Sequence, residues 1–321
     1  GRSSISKPTI PPPTNHTKTF RRFPLSPHRL KPPAFWATIG GVNRPQPLGC
    51  ESALSRFHRV GALRLHYLEW GAPGRPGLLF LHGGSAHAHW FDAVAPAFAD
   101  RFHVVSLDQR GHGESQWPEP PAYQTQDFAG DLLGVMDALG WTRMTLIGHS
   151  MGGHNAMAFA AWHPERVERL VIVDSRPSIP PDRLTQMHQR GYRPPRRHPS
   201  AGAAVAAFRL LPRETVAPPA LLAHLAQAGI TEREGKWVYR FDPACNGTRQ
   251  PVDAWPLLPK IACPTLIVRG EKSPILPRPM AEEMAEKIPG AALVEVPGVY
   301  HHLVLDAPDA FVAHLEGFLL G

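Results

Sequence analysis

Short apolar runs recur along this chain from Leu54 onward, and between them apolar positions return every third or fourth residue. The runs Leu63–Trp70, Leu78–Leu81, His103–Leu107, Met144–Ile147, Leu170–Val173, Thr265–Val268 and Ala292–Val296 predict strands. The intervening stretches Asp127–Leu139, Gly153–Trp162, Met280–Lys287 and Asp309–Leu319 predict amphipathic helices. Strands alternating with helices imply βα units, and hence an α/β fold: a mostly parallel sheet with helices on both faces. No internal repeat is visible.

The rhythm breaks between Val173 and Thr265. Helical fragments at Ala203–Leu211 and Ala220–Ala228 lie there among prolines, so residues 176–259 are expected to form a small, mainly helical cap insertion. Residues 54–175 and 260–321 would then build the core. Parallel sheets bind ligands at the carboxyl ends of their strands, which makes an insertion leaving that edge a candidate lid.

Composition changes the picture mainly at the N-terminus. Residues 1–53 form a Pro-rich basic arm: the first 50 hold eight Lys or Arg and no Asp or Glu. The net charge of +7 therefore belongs to the arm, and the rest of the chain is close to neutral. No nucleic-acid partner is expected, because basic residues without interleaved aromatics on a folded patch read as a tail. The arm's acid-free, Ser/Thr-containing composition suits an organellar transit peptide, or equally a leader outside the folded protein.

Three scattered cysteines, Cys50, Cys245 and Cys263, supply neither a disulfide framework nor a regular metal site, so a reducing, cytoplasmic setting is the simple expectation. No run of about eighteen apolar residues is present, so no membrane span is expected. The 18 histidines show no ligand spacing of the zinc type, and no metal or organic cofactor is implied. The sequence does not specify an oligomeric state.

The strand Met144–Ile147 runs into Gly148-His149-Ser150-Met151-Gly152 and then a helix with small residues at its start. A serine on such a sharp turn projects its hydroxyl above the sheet, and glycines on either side allow the backbone to approach its neighbours. Ser150 is the nucleophile candidate. A developing oxyanion needs two preorganised N–H donors, one after the nucleophile and one from the glycine loop ending an earlier strand. Met151 and Gly84, the latter in Leu81-His82-Gly83-Gly84, are nominated for an oxyanion hole.

Together Leu81–Gly84, Asp108–Ser115, the Gly148–Gly152 turn and the Pro297–Leu305 stretch resemble the α/β-hydrolase fold superfamily, in its serine esterase or lactonase form. The likeness covers roughly residues 57–320, with the motifs in family order. It implies that Asp108 and His112 are scaffold, and that the base is a histidine after the last strand. Counting back from Asp306-Ala307-Pro308 places that base at His301, with Tyr300 where relatives commonly carry glycine. His302 would serve only with a one-residue shift of the loop.

The resemblance also exposes an anomaly. Relatives with a loop resembling Arg-Gly-x-x-Ser-Asp carry the acid four residues beyond the glycine, and counted from Gly270 that position is Pro274, preceded by Ser273. Asp174, ending the strand Leu170–Val173, is the preferred substitute, because some α/β-hydrolases place their acid after that strand. Glu271 is a second candidate, although it lies about 10 Å short in an extended loop. A cap carboxylate such as Asp242 or Asp253 is a third.

Dehalogenases and epoxide hydrolases of similar fold carry aspartate at the turn, so Ser150 argues for acyl chemistry. The resemblance implies hydrolysis of a small-molecule carboxylic ester or lactone through a Ser150–His301–Asp174 triad and an acyl-enzyme. Trp90, after the glycine loop, and His149, beside the nucleophile, are expected substrate contacts. A thioester or C–C bond hydrolase, or a non-catalytic hydrolase-like binding protein, are the alternatives; the missing loop acid motivates the last.

Overall fold

Leu78 and Phe80 pack into one hydrophobic cluster, Leu79 and Leu81 into another. The same two-residue alternation separates Leu170 and Ile172 from Val171 and Val173, and Ile267 from Leu266 and Val268. These strands are buried on both faces, which is why they read as continuous apolar runs. The computed structural model describes residues 53–321. The N-terminal arm expected over residues 1–53, and Cys50 with it, lies outside the described residues apart from Ala53.

The strands are β1 (Leu54–Val60), β2 (Leu63–Trp70), β3 (Gly77–Leu81), β4 (His103–Leu107), β5 (Met144–His149), β6 (Val167–Val173), the short β7 (Ile230–Arg233) and β8 (Lys236–Tyr239), then β9 (Thr265–Gly270) and β10 (Ala292–Val296). Eight of them form one sheet in the order β1-β2-β4-β3-β5-β6-β9-β10. It is parallel from β4 to β10, while β1 and β2 join antiparallel. The expected mostly parallel α/β fold is the observed one. Strand β1 was not foreseen: all but one of its residues are exposed, so pairing with β2 creates it rather than burial.

Helices α1 (Thr125–Ala138), α2 (Met151–Trp162) and α7 (Arg278–Lys287) contribute Leu132, Met157 and Met284 to the first cluster, and α9 (Pro308–Leu320) contributes Phe311 and Leu315 to the second. Helices therefore cover both faces. The register aligns Leu81 with Gly148 and Gly148 with Ile172, with Ile172 beside Ile267. The carboxyl ends of β3, β5, β6 and β9 consequently open side by side on one edge.

Between β6 and β9 lie α3 (Pro181–Gly191), α4 (Ala201–Ala207), α5 (Pro219–Ala228), the β7–β8 hairpin and α6 (Pro243–Thr248). The segment is mainly helical, and the hairpin within it was not foreseen. Its turn, Glu234-Gly235, has both residues at positive φ (52° and 69°), a geometry that matches the twist of paired strands. Helix α4 also ends at Ala207, four residues before the expected Leu211. The segment is bonded to the sheet edge: Gly113 N–H donates to Arg240 O (2.8 Å) and Asp242 N–H to Gly111 O (2.8 Å).

Candidate active site

Strand β5 ends at His149 and α2 begins at Met151, so Ser150 alone makes the turn. Its backbone sits at φ 53°, ψ −115°, a region that costs of order 1–3 kcal/mol for a residue with a side chain. Two bonds hold it there: Ser150 N–H to Val173 O (3.0 Å) and Ser175 Oγ–H to Ser150 O (2.7 Å). The flanking glycines are required by contact. A Cβ on Gly148 would lie 2.4 Å from Gly152 O, and one on Gly152 would lie 2.4 Å from Leu81 O.

His301 stands between Ser150 and Asp174. Its Nε2 is 3.1 Å from Ser150 Oγ, and its Nδ1 is 3.2 Å from Asp174 Oδ1. Asp174 occupies the first position after β6 at φ 44°, with its side chain fully buried. Two further donors reach its carboxylate: Gly270 N–H to Oδ2 (2.9 Å) and Ser273 Oγ–H to Oδ1 (2.6 Å). Burial pushes the Asp174 carboxyl up to about 6, and the hydrogen bonds from Ser273 and Gly270 hold it from rising further. Burial also pushes His301 well below its ordinary value. At neutral pH the pair is a carboxylate beside a neutral imidazole.

The loop after β9 thus supplies a hydroxyl, where an acid was expected. Ser273 carries no charge to set against an imidazolium; its partner is the carboxylate. Gly270 must be glycine because a Cβ there would stand 2.2 Å from Tyr300 O, immediately before His301. The other candidate acids are engaged elsewhere. Glu271 is exposed and accepts from Gly298 N–H (2.7 Å). Asp242 caps α6 through Ala244 N–H and accepts from Tyr123, while Asp253 accepts from Trp255 N–H.

The glycine loop after β3 packs on this turn. A Cβ on Gly83 would be 3.2 Å from Ser150 Cβ, and one on Gly84 would be 4.0 Å from Met151 Sδ. Among the described residues, neither the Gly84 nor the Met151 N–H finds a protein acceptor. The His82 imidazole orients the loop: Gln109 N–H donates to its Nε2 (3.1 Å), so its Nδ1–H donates to Gly83 O (2.7 Å). Gln109 is held in turn by Asn155, and Asn155 by Arg249, a buried arginine just after α6. Sequence reasoning missed Asn155 and Arg249, which no local motif marks, and gave no role to Gln109 within Asp108–Ser115.

Asp108 accepts from Ala88 N–H (2.6 Å), Glu114 N–H (2.8 Å) and His66 Nδ1–H (2.6 Å); against its burial, which raises it, the His66 hydrogen bond and nearby histidine charge hold it well below the usual carboxylate range. It braces the loops at the sheet edge, as does His112 through its Nδ1 contact to Arg110 O (2.9 Å). Trp90, expected at the substrate, is buried against His87 and Phe208 (ring centroids 5.4 and 6.5 Å). His149, also expected there, is only 1% exposed, and its ring lies 4.7 Å from that of His301. His302 bonds Pro212 O through its Nε2 (2.9 Å), and it is His301 that reaches Ser150. A cavity of about 360 Å3 opens between α4 and α5, lined by Val205, Phe208, Leu210 and Leu222 with Arg209 and Arg213.

No metal was expected from sequence spacing, yet the fold brings together two groups of potential ligand atoms within 4.8 Å of one another among the described residues: His149, His301 and His302, and separately His89, Asp92 and His224.

A serine on a strained strand-to-helix turn, a histidine after the last strand and a parallel sheet in this order define a class, and the chain belongs to it: the family described as "alpha/beta hydrolase fold" matches residues 76–308. The chain is 28% identical over 278 residues to a 2-(acetamidomethylene)succinate hydrolase of Mesorhizobium japonicum, spanning 83% of this chain and 95% of that one. A solved structure of E-2-(acetamidomethylene)succinate hydrolase superposes with TM-score 0.75 at 26% identity, over 84% of this chain and 100% of that one. An esterase of Mycobacterium tuberculosis is 29% identical over 301 residues, 88% of this chain and 93% of that one. The enol-lactonase of Burkholderia xenovorans gives TM-score 0.70 at 25% identity, over 83% of this chain and 100% of that one.

Proposed function

We propose that the protein is a serine hydrolase of carboxylic esters or lactones that works through an acyl-enzyme. The observation that carries this reading is the continuous relay from Ser150 Oγ through His301 to Asp174 Oδ1. His301 Nε2 takes the Ser150 proton as Oγ attacks the carbonyl carbon. The imidazolium so formed donates through Nδ1 to the ionised Asp174. The carbonyl oxygen, now an oxyanion, receives the N–H groups of Gly84 and Met151. His301 then gives its proton to the leaving alcohol, and water, deprotonated by the same Nε2, releases the acid and restores Ser150.

Residues 176–259 act as a cap over this edge, and the cavity between α4 and α5 receives an apolar part of the substrate, with Arg209 and Arg213 at its wall. Trp90 shapes that region from below through Phe208. His149 steadies His301 by ring contact and a bond to its carbonyl. The relatives' names support hydrolysis, and two of them, an esterase and an enol-lactonase, name ester or lactone chemistry, whereas the third is a 2-(acetamidomethylene)succinate hydrolase.

The test is fluorophosphonate labelling combined with p-nitrophenyl ester turnover. Labelling that maps to Ser150 and is lost in Ser150→Ala supports the reading. A folded protein that neither labels nor turns over short esters and lactones would mean a binding protein on a hydrolase scaffold.

A further inference from the structure

His149 and His302 flank His301, with ring centroids 4.7 and 5.0 Å from it. A carbonyl oxygen can only accept, so the contacts His149 Nε2 to His301 O (3.0 Å) and His302 Nε2 to Pro212 O (2.9 Å) fix both rings with the proton on Nε2. Each ring therefore carries its lone pair on Nδ1. Both Nδ1 atoms are buried, and neither has a partner among the described residues. His149 is 1% exposed and His302 4%. Two buried acceptors left without a donor are costly, and their placement calls for an explanation. One ring nitrogen from each of the three histidines lies within 4.8 Å of the others.

We propose that His149, His301 and His302 form a binding site for Zn2+, and that filling it withdraws His301 from Ser150. Neutral imidazoles suit this cation, at Zn–N distances of about 2.0–2.1 Å. Tetrahedral bonding then sets the nitrogens about 3.3 Å apart, so the rings close in by roughly an ångström. Metal-binding histidines commonly donate their second ring N–H to a backbone carbonyl, which fixes tautomer and ring direction; His149 and His302 are already held in that way. With Nδ1–H facing Asp174, the lone pair of His301 is on Nε2, the atom that must take the Ser150 proton. Zinc and the hydroxyl compete for it. The inhibitory consequence rests on His301 being the base; the binding does not.

Binding is measured on the full chain by equilibrium dialysis against Zn2+ and by the visible d–d absorption of Co2+. Three proteins are compared: wild type, His302→Gln, and His224→Asn, which breaks the separate His89–Asp92–His224 group. Wild type is expected to show tetrahedral Co2+ bands, slowed fluorophosphonate labelling of Ser150 in Zn2+, and an ester rate at least tenfold lower in saturating Zn2+ and recovered with EDTA. His302→Gln should bind one Zn2+ fewer and lose the inhibition, judged against its own metal-free rate. His224→Asn should keep the Co2+ bands and the inhibition. Equal Zn2+ uptake by wild type and His302→Gln, or inhibition abolished by His224→Asn instead, overturns the proposal. Absence of ester turnover in every protein would defeat the hydrolase reading alone, because the Zn2+ stoichiometry and Co2+ bands still decide whether the site exists. Should His302→Gln not fold, the wild-type bands decide, and their absence at millimolar Co2+ ends the proposal.

Discussion

Ser273 donates its hydroxyl to Asp174 Oδ1 over 2.6 Å, joining the loop after β9 to the residue that ends β6. With Gly270 N–H on the other oxygen, the carboxylate is held ionised and pointed at His301. The loop that carries Pro274 where an acid was expected therefore still takes part, as a donor to an acid from the neighbouring strand.

Asp174→Asn should cut kcat toward an activated ester by about 10³–10⁴, the size seen when the orienting carboxylate of a serine–histidine pair is removed. Glu271→Gln, whose carboxylate among the described residues bonds only Gly298 N–H, should stay within about twofold of wild type. Parallel turnover assays on folded variants check both; the reverse pattern would give the role to Glu271.

The acid limb of kcat/KM should fall near pH 6. Burial pushes the Asp174 carboxyl up to about 6, and protonating it takes away the partner of the imidazolium that forms on His301. Because the Ser273 hydrogen bond lowers the Asp174 pKa, Ser273→Ala should move this limb to higher pH and lower kcat about tenfold. A pH–rate profile of both proteins would show the shift; an unmoved limb would mean that another group governs it.

Gly270→Ala should destabilise the fold by about 1–3 kcal/mol and impair turnover, since its Cβ must displace Tyr300 O from 2.2 Å and with it the backbone carrying His301. Chemical denaturation gives the first quantity and single-turnover acylation the second. Wild-type stability with normal acylation would show that the backbone relaxes at no cost.

Stability should decline steeply as pH falls below about 6.5. His82 is held neutral down to about 3, and His87, His112 and His154 down to about 4, all by burial. Unfolded histidines titrate near 6.5, so on acidification the unfolded chain binds protons first. Each such residue removes up to about 1.4 kcal/mol per pH unit in that window. Melting temperatures measured from pH 8 to pH 4 should be flat above 7 and drop below 6.5; a flat curve to pH 5 would contradict the burial of these rings.

Much of this was legible from the chain because it is locally encoded. Apolar runs mark strands buried on both faces, and Gly148-x-Ser150-x-Gly152 marks a turn whose glycines are forced by contacts within the turn and with the next strand. Strand β1 and the β7–β8 hairpin were not legible, since exposed residues such as those of Leu54–Val60 carry no burial pattern and Glu234-Gly235 is a weak turn signal. The Ser273 contact was not legible either, because 99 positions separate it from Asp174.

By itself the sequence determined the βα order, the strained serine and the histidine after the last strand, all of which depend on neighbours along the chain. Which carboxylate meets that histidine, and that His149 and His302 stand beside it, only the tertiary structure decided. Asp174 reaches His301 because β6 pairs beside β9 and the tips of both strands open on one edge. Strand pairing is set by the packing of the whole sheet, a cooperative property that no single stretch of residues contains.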